Sequence, residues 1–243
     1  MCTDDKTTEC DFPVRLYASD ISYEPSFFDR WYGLMPPGRK ERCDRFRHKQ
    51  DSQRCITGYA LLVAALRSLS FDTIMRGWEL TMPLRIPEKD NGKPYLENIP
   101  VCFNISHSGQ MVIVSVSSSE VGCDVERVRA DALAIARRFF TEEEYGYLKD
   151  LATQTECDME FTRLWTMKES VVKCCGDGIR RSFNDFALLD KSGKRISKVM
   201  LADSDEVYHV KEYEGANGYC YSVCSLCADM EDTIRYLQLD QEI

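Results

Sequence analysis

Two acidic side chains at alternate positions are the first candidates for chemistry in this sequence. Asp124 and Glu126 stand in the segment GCDVE, which has the pattern of a β-strand. Residues two apart on a strand share one face, with backbone positions roughly 6.6–7 Å apart. Two carboxylates held this close repel each other unless one is protonated or a cation lies between them. The pair is therefore a candidate magnesium site, since Mg²⁺ binds one or two carboxylates together with phosphate oxygens; the alternative is an ordinary exposed strand face.

A third carboxylate comes from the segment LWTMKESVVK, in which Trp165, Glu169 and Lys173 are four residues apart. On a helix, residues at this spacing lie along one stripe. Glu169 could give the cation a further oxygen or accept a proton, and Lys173 could contact an anion. The alternative is an ordinary i,i+4 ion pair, worth about 0.2–0.5 kcal/mol.

Two other segments have the composition of a phosphate-binding surface. Residues 39–54 (RKERCDRFRHKQDSQR) contain seven Arg or Lys against three Asp or Glu, a formal charge of +4 in a chain whose net charge is −9. Such a local reversal suits a small polyanion. Residues 103–109 (FNISHSG) predict a strand leading into a polar turn, whose N–H groups and hydroxyls, with the switchable charge of His107, suit a phosphate. The alternatives are a solvated helical face and a structural histidine.

The hydrophobic periodicity predicts the elements that position these residues. Helices are predicted at residues 52–69, 132–140 and 156–175, and Thr141 opens a further helix with the capping box TEEE. Gly176 and Gly178 are predicted to end the long helix at residue 175. Strands are predicted at residues 13–19, 78–84, 101–105, 111–116, 121–126, 183–189, 207–213 and 219–226.

Composition places the chain among ordinary globular proteins. Its 243 residues, 44% hydrophobic and 29% charged, suffice for one large domain or two of about 100–150 residues. The net charge of −9 argues against a general nucleic-acid or anionic-membrane binder. The polar start MCTDDKTTECDFPV and the lack of an apolar run near ~20 residues predict a cytoplasmic protein. We therefore expect reduced thiols, and a zinc site at Cys224 and Cys227 lacks a second ligand pair.

Several of these segments together resemble one family. FNISHS, VGCDVE, RRFFTEEEY and LWTMKESVVK, with NGKPYL and PPGRKERCDRFRHKQD upstream, occur in the order and spacing of the 4'-phosphopantetheinyl transferase superfamily. The resemblance covers residues 36 to about 178 and is to the longer, monomeric, Sfp-like branch, which serves peptide and polyketide synthetases.

This resemblance implies an α/β fold of the α+β type. Two similar subdomains, residues 1–120 and 121–243, would be related by a pseudo-two-fold axis, each with a small sheet packed on a long helix. Coenzyme A would lie in the cleft between them. The first subdomain would grip its nucleotide, and the second would carry the metal site and the catalytic helix.

The resemblance also implies an activity and its residues. The activity is of the holo-[acyl-carrier-protein] synthase type: 4'-phosphopantetheine moves from coenzyme A to a serine of an apo acyl or peptidyl carrier protein, and adenosine 3',5'-bisphosphate leaves. Mg²⁺, or Mn²⁺, would be held by Asp124, Glu126 and Glu169. Glu169, Asp124 and Lys173 would be catalytic, with Glu169 the candidate base. The larger set expected to bind coenzyme A is Arg39, Arg42, Arg54, Lys93, Ser106, His107 and Lys173. The protein would be a monomer without nucleic-acid or membrane partners.

An aromatic segment is a candidate surface for the carrier protein. It comprises Phe139, Phe140, Tyr145, Tyr147 and Leu148, with Arg137 and Arg138 nearby. The alternative is that most of these side chains belong to the core.

Two other functions use the same residues. A magnesium-dependent hydrolase of nucleotide pyrophosphates would direct the carboxylates at water, and it would consume coenzyme A without a carrier. A non-catalytic coenzyme A sensor would keep the pocket but is expected to lack one carboxylate, whereas Asp124, Glu126 and Glu169 are all present.

Overall fold

The computed structural model describes residues 10–21, 24–71, 80–130, 132–216 and 218–240. Within these ranges the strands form two sheets of four. The first has the order β2-β3-β1-β8, with β1 Val14–Asp20, β2 Cys102–Ser108, β3 Met111–Ser117 and β8 Met230–Tyr236. The second has the order β4-β7-β6-β5, with β4 Val121–Arg127, β5 Lys198–Met200, β6 Val207–Tyr213 and β7 Tyr219–Ser225.

Six α-helices occur in the described residues. They are α1 Pro25–Leu34, α2 Pro37–Asp44, α3 Lys49–Phe71, α4 Leu133–Phe139, α5 Glu142–Lys149 and α6 Gln154–Cys175. Two 3₁₀ turns follow α6, at Gly178–Arg180 and Phe183–Asp185. None of these helices is long and apolar enough to span a membrane.

The two halves repeat one arrangement. In the first, β1 is followed by α3, β2 and β3, and β3 lies between β1 and β2. In the second, β4 is followed by α6, β6 and β7, and β7 lies between β4 and β6. Helix α3 shares a hydrophobic cluster with the first sheet and α6 with the second. The predicted fold class is therefore confirmed, while the rotation axis relating the halves stays a prediction.

The end of the chain returns to the first half. Strand β8 pairs in parallel with β1, the N–H of Leu237 donates to the carbonyl of Ala18, and Leu239 packs in the first cluster. This last segment therefore packs with the first half, and the predicted division of the chain after residue 120 stays a prediction. The physical reason is that β1 would otherwise leave one row of backbone groups unpaired at the sheet edge.

A third hydrophobic cluster joins the two sheets. It contains Leu16 and Ile113 from the first sheet with Cys123, Val125 and Val223 from the second. This packing brings two edge strands together, because among the described strands β2 pairs only with β3 and β4 only with β7. The polar residues of β2 and β4 therefore meet between the halves.

Helix α6 lies directly on β4. Its first turn is held by a capping box between Thr153 and Glu156, and it ends at Gly176 in the left-handed conformation, as predicted. A Cβ on Gly122 would lie 2.2 Å from the carbonyl oxygen of Ser170 and 2.4 Å from the nitrogen of Cys174. The sequence can bring helix and strand this close only because residue 122 has no side chain.

The predicted strand at residues 183–189 is wrong. Residues 183–185 form a 3₁₀ turn, and only an isolated bridge to Arg195 remains at Leu189. The buried ammonium of Lys168 explains this, since it donates to the carbonyls of Phe183 (2.7 Å) and Phe186 (2.6 Å) and bonds Glu144 at 2.9 Å. These bonds hold the carbonyls of residues 183 and 186 against Lys168 of α6, and the segment forms a turn there instead of a strand ladder.

The predicted strand at residues 78–84 falls partly outside the described residues. Its described part, residues 80–84, is not a strand. The N–H of Leu84 donates to the hydroxyl of Tyr59 on α3 rather than to another strand.

Most of the aromatic segment proposed as a carrier surface belongs to the core. Phe140 and Leu148 are buried, and Tyr145 and Tyr147 pack against the same cluster. Phe139 is the member that stays exposed. The predicted capping box at Thr141 is confirmed by reciprocal hydrogen bonds with Glu144.

The prediction of reduced thiols is wrong for two cysteines. Cys10 and Cys227 form a disulfide, with their Cα atoms 6.0 Å apart, whereas the nine other described cysteines are free. The bond joins the segment before β1 to the connection before β8, which lie together because those strands pair. Cys227 is thus unavailable to the zinc site that the sequence analysis rejected.

Candidate functional site

A cleft of about 300 Å³ lies where the two halves meet. Its walls come from α2, the first turns of α3, the turn at residues 91–94, β2 and the end of α6. Six of the seven side chains predicted to bind coenzyme A line it: Arg39, Arg42, Arg54, Lys93, His107 and Lys173. Ser106 accepts a hydrogen bond from Lys173 at 3.1 Å. The structure therefore brings residues 134 positions apart in the sequence into one site.

The arginines supply the positive charge of one wall. Burial lowers the pKa of Arg39, and the charge of Arg42 adds to this effect. Two such guanidinium groups side by side favour an anion between them. Arg54 is fixed by its Nε, which donates to the carbonyl of Gly109 at 2.9 Å, and by Asp51, 2.7 Å from its Nη1. These contacts use two of the five N–H groups of Arg54 and orient the others.

His107 faces the same cleft. Burial lowers the pKa of its imidazole, and the charge of Arg54 lowers it further. The ring is therefore neutral at pH 7 in this state. An anion bound beside it would raise that pKa and favour the charged form.

Lys93 is held differently from the other cationic side chains. Its ammonium donates to Glu120 at 2.6 Å, to the carbonyl of Val121 at 3.0 Å and to that of Cys174 at 2.8 Å. An ammonium has three donors, and all three are used. Lys93 thus ties the turn at residues 91–94 to the start of β4 and the end of α6. Its predicted contact with coenzyme A stays a prediction.

Asp124 stands at the edge of the cleft and is buried. Its Oδ1 lies 2.6 Å from Nζ of Lys173 and accepts a hydrogen bond from Ser106 at 2.8 Å. Its Oδ2 is also buried, and no described residue bonds it. One oxygen of this carboxylate is therefore paired with a positive charge. The other is buried without a described partner, which is costly unless a cation or hydrogen-bond donor binds it.

The two other predicted metal ligands lie beside Asp124. Burial raises the pKa of Glu126, and the charge of Asp124 adds to this. Burial also raises the pKa of Glu169; Lys173 opposes the shift, whereas Asp124 and Glu126 reinforce it. Strand β4 supplies two carboxylates and α6 the third; Asp124 acts on Glu126, and both of these acids act on Glu169.

The donor set fits a hard divalent cation. Among the described residues, no three His, Cys, Asp or Glu side chains already converge in a metal-binding arrangement. Lys173 is the positive partner of Asp124 in this state. The orphaned Asp124 Oδ2 and the two carboxylates with raised pKa values are nevertheless oxygen ligands that Mg²⁺ would satisfy. The assignment of Asp124, Glu126 and Glu169 as ligands stays a prediction.

Strand β2 is longer than predicted, and this changes the role of its polar residues. It continues through Ser108, and the turn begins at Gly109. Asn104, Ser106 and Ser108 therefore share one strand face instead of forming a phosphate-binding turn. Sequence reasoning missed Asn104 and Ser108 as site residues; the alternation of polar residues in FNISHS was the available signal.

Comparison with known proteins identifies relatives over most of the chain. A sequence model of the 4'-phosphopantetheinyl transferase superfamily (ACPS) matches residues 120–224. The chain is 33% identical over 217 residues to the 4'-phosphopantetheinyl transferase Sfp of Bacillus subtilis (strain 168), covering 88% of this chain and 92% of the relative. It is 31% identical to the 4'-phosphopantetheinyl transferase gsp of Aneurinibacillus migulanus, covering 79% and 82%.

Two further matches cover less of the chain. The 4'-phosphopantetheinyl transferase AcpT of Escherichia coli (strain K12) is 32% identical over 143 residues, which cover 57% of this chain and 64% of the relative. The solved holo-[acyl-carrier-protein] synthase (AcpS) of Thermotoga maritima aligns with 44% of this chain and 62% of its own, at a TM-score of 0.33 and 19% identity. That likeness is too low to bear on fold or function.

Proposed function

Because the chain belongs to the 4'-phosphopantetheinyl transferase superfamily, we propose that it transfers 4'-phosphopantetheine from coenzyme A to a serine of an apo acyl or peptidyl carrier protein. Adenosine 3',5'-bisphosphate is the second product. The finer type, a holo-[acyl-carrier-protein] synthase, is part of the same proposal.

One observation carries the proposal. Lys173 lines the cationic cleft and at the same time bonds Asp124, so the anion-binding wall and the carboxylates meet at one side chain. A ligand with a nucleotide at one end and a reactive diphosphate at the other matches this arrangement. The nucleotide phosphates would lie against Arg39, Arg42 and His107, and the diphosphate beside Lys173.

The carboxylates suit Mg²⁺, which would be held by Asp124, Glu126 and Glu169. When bound, such an ion polarises diphosphate oxygens and stabilises the leaving group. The remaining tasks belong to the chain itself, because phosphoryl transfer asks mainly for positioning and charge neutralisation. Lys173 would hold the phosphate that is attacked, and its position is fixed by Asp124 and Ser106.

Glu169 is the candidate for accepting the proton of the carrier serine. It lies one helical turn before Lys173 on α6, and no described residue donates a hydrogen bond to its carboxylate. A carboxylate positioned in this way contributes ~10²–10⁴-fold to the rate. The serine oxygen attacks the β-phosphorus, the bond to the leaving bisphosphate breaks, and the proton passes to Glu169 directly or through water.

The carrier would approach the exposed aromatic edge of the second half. Phe139 is 37% exposed, and the guanidinium of Arg138 lies over its ring at 5.2 Å. Arg129 lies over Trp165 at 5.9 Å. A mixed apolar and cationic surface of this kind suits an acidic protein helix.

Intact-mass measurement tests the function. An apo carrier incubated with the protein, coenzyme A and Mg²⁺ should gain the mass of one phosphopantetheine group at its serine. Asp124→Asn should leave the carrier unmodified while the far-ultraviolet circular dichroism stays that of the parent protein. An unmodified carrier with the parent protein, across several acyl and peptidyl carriers, would refute the proposal.

Omitting the carrier separates transfer from hydrolysis. A transferase leaves coenzyme A almost intact without its acceptor, whereas a nucleotide pyrophosphate hydrolase consumes it. Chromatography of the nucleotides therefore decides between the two activities in the same incubation.

A further inference from the structure

Strands β2 and β4 are joined by side chains rather than by a backbone ladder. Each is an edge strand of its own sheet. The N–H of Cys123 donates to Oδ1 of Asn104 at 3.0 Å, and the N–H of Arg127 donates to Oγ of Ser108 at 3.1 Å. Polar side chains of β2 thus satisfy backbone donors that an edge strand would otherwise leave open.

The same row of side chains bonds the carboxylates of β4. Ser106 donates to Asp124 at 2.8 Å, and Ser108 donates to Oε2 of Glu126 at 2.8 Å. The matching is regular because both strands alternate with period two, so serines two apart meet acids two apart. Asn104 fixes this register at the start of the row.

The hydroxyl of Ser108 is committed in direction. A serine hydroxyl has one donor and two acceptor sites. The N–H of Arg127 occupies one acceptor, and the single proton points to Glu126. The N–H of Arg127 on β4 thus orients the Ser108 hydroxyl, and this hydroxyl orients the Glu126 carboxylate on the same strand.

The orientation leaves a particular oxygen for a ligand. The contacts that Glu126 makes with described residues, from Ser108 and from Arg129 at 3.7 Å, both involve Oε2. Asp124 shows the same division, with Oδ1 engaged by Ser106 and Lys173 and Oδ2 without a described partner. In both acids one carboxylate oxygen bonds the protein, and the other, Oε1 of Glu126 or Oδ2 of Asp124, is available to a ligand.

We propose that Ser108 is a positioning residue for the cation site: its hydroxyl sets the Glu126 carboxylate in the orientation that binds a divalent ion. The inference rests on the proposed function, since it presumes the cation held by Asp124, Glu126 and Glu169. Hydrogen-bond partners that orient a ligand typically change metal affinity by about 10–100-fold when removed.

Binding of Mn²⁺ tests the inference without turnover. Electron paramagnetic resonance measures free Mn²⁺ during titration of the protein with coenzyme A present and carrier absent. Ser108→Ala should raise the Kd for Mn²⁺ about tenfold. Ser108→Thr, which keeps the hydroxyl, should bind Mn²⁺ like the parent protein. In separate carrier-modification assays the KM for coenzyme A should change little, since the cationic wall is untouched.

Ser192→Ala is the matched control. Ser192 donates to Oδ1 of Asp190 at 2.6 Å in an exposed turn, and neither residue lines the cleft, so this variant loses the same kind of hydrogen bond. Its Mn²⁺ affinity should equal that of the parent protein. Should Ser108→Ala fail to fold, Ser108→Thr and Ser108→Val form a second pair that differs only in hydroxyl against methyl.

The outcomes separate the two proposals. If the parent protein binds Mn²⁺ and Ser108→Ala binds it equally well, or Ser108→Val equals Ser108→Thr, the role of Ser108 is refuted and the metal site stands. If the parent protein binds no Mn²⁺, the metal site and the role of Ser108 fall together. A selective loss with Ser108→Ala and Ser108→Val supports the inference.

Discussion

Replacing Gly122 by alanine should separate α6 from β4 and uncouple the site. The new Cβ would lie 2.2 Å from the Ser170 carbonyl oxygen, 2.4 Å from the Cys174 nitrogen and 2.8 Å from the Lys173 carbonyl carbon. A carbon and an oxygen normally come no closer than roughly 3.3 Å, so helix and strand must part by about 1 Å. All three obstacles are backbone atoms, which a rotamer change cannot move.

That shift would separate Lys173 on α6 from Asp124 on β4. Nζ of Lys173 lies 2.6 Å from Asp124, and an added ~1 Å takes the pair beyond hydrogen-bond length. A misplacement of this size costs about 10²-fold in rate, and overpacking costs typically 1–3 kcal/mol of stability. We therefore expect kcat for carrier modification to fall about a hundredfold and the free energy of unfolding to fall by about 2 kcal/mol.

Carrier modification followed by intact mass gives kcat, and urea denaturation gives the stability. Gly33→Ala is the matched control: Gly33 lies in α1, and a Cβ there meets nothing within 4 Å. That variant should keep the parent activity and be as stable or slightly more so. If Gly122→Ala retains the kcat of the parent protein, close packing of α6 on β4 does not position the site, and the reasoning is wrong.

Three further outcomes follow from the same structure. Arg42→Ala should raise the KM for coenzyme A with kcat little changed in steady-state assays, because Arg42 lines the cleft and would bind the substrate equally in the ground and transition states. A large loss of kcat at unchanged KM would contradict this role. Burial lowers the pKa of His107 below its unfolded value, so the folded state binds fewer protons and loses stability as pH falls through about 6.5. His107→Gln should therefore lose less stability than the parent protein between pH 7 and pH 5.5 in urea titrations. An equal loss in both proteins would refute this role of His107. Lys168→Met leaves the buried Glu144 without its ionic partner and should lower the free energy of unfolding in urea by about 3–5 kcal/mol. Adding Glu144→Gln should recover part of that free energy. No recovery would show that the two residues are not coupled.

The local parts of the site could be predicted from the sequence. Alternation placed Asp124 and Glu126 on one face of a strand, and the spacing of Glu169 and Lys173 placed them on one stripe of a helix. Both elements are present with nearly the predicted bounds, β4 at Val121–Arg127 and α6 at Gln154–Cys175. Such patterns depend on backbone periodicity alone, so they survive without knowledge of the tertiary structure.

The contacts between elements could not be predicted in this way. The bond between Lys173 and Asp124 spans 49 residues and depends on how closely α6 approaches β4. The bonds from the serines of β2 to the acids of β4 span 18 residues, and β8 joins the first sheet across more than 200 residues. In each case the deciding partner is distant in sequence and leaves no periodic trace.

The two oxygens of Asp124 have different partners, so this carboxylate can contact both Lys173 and the proposed cation. Asp124, Glu126 and Glu169 carry three negative charges when ionised, and Lys173 neutralises one of them at 2.6 Å. The side chain of Arg129 lies 3.7 Å from Glu126 and is 43% exposed, so it weakens the charge of Glu126 without neutralising it. The remainder equals the charge of one divalent ion. Because Lys173 and Ser106 both bond Oδ1, the proposed ion would bind Oδ2 without displacing the lysine. The ammonium of Lys173 donates to Asp124 and Ser106, so its third N–H would be available to a phosphate.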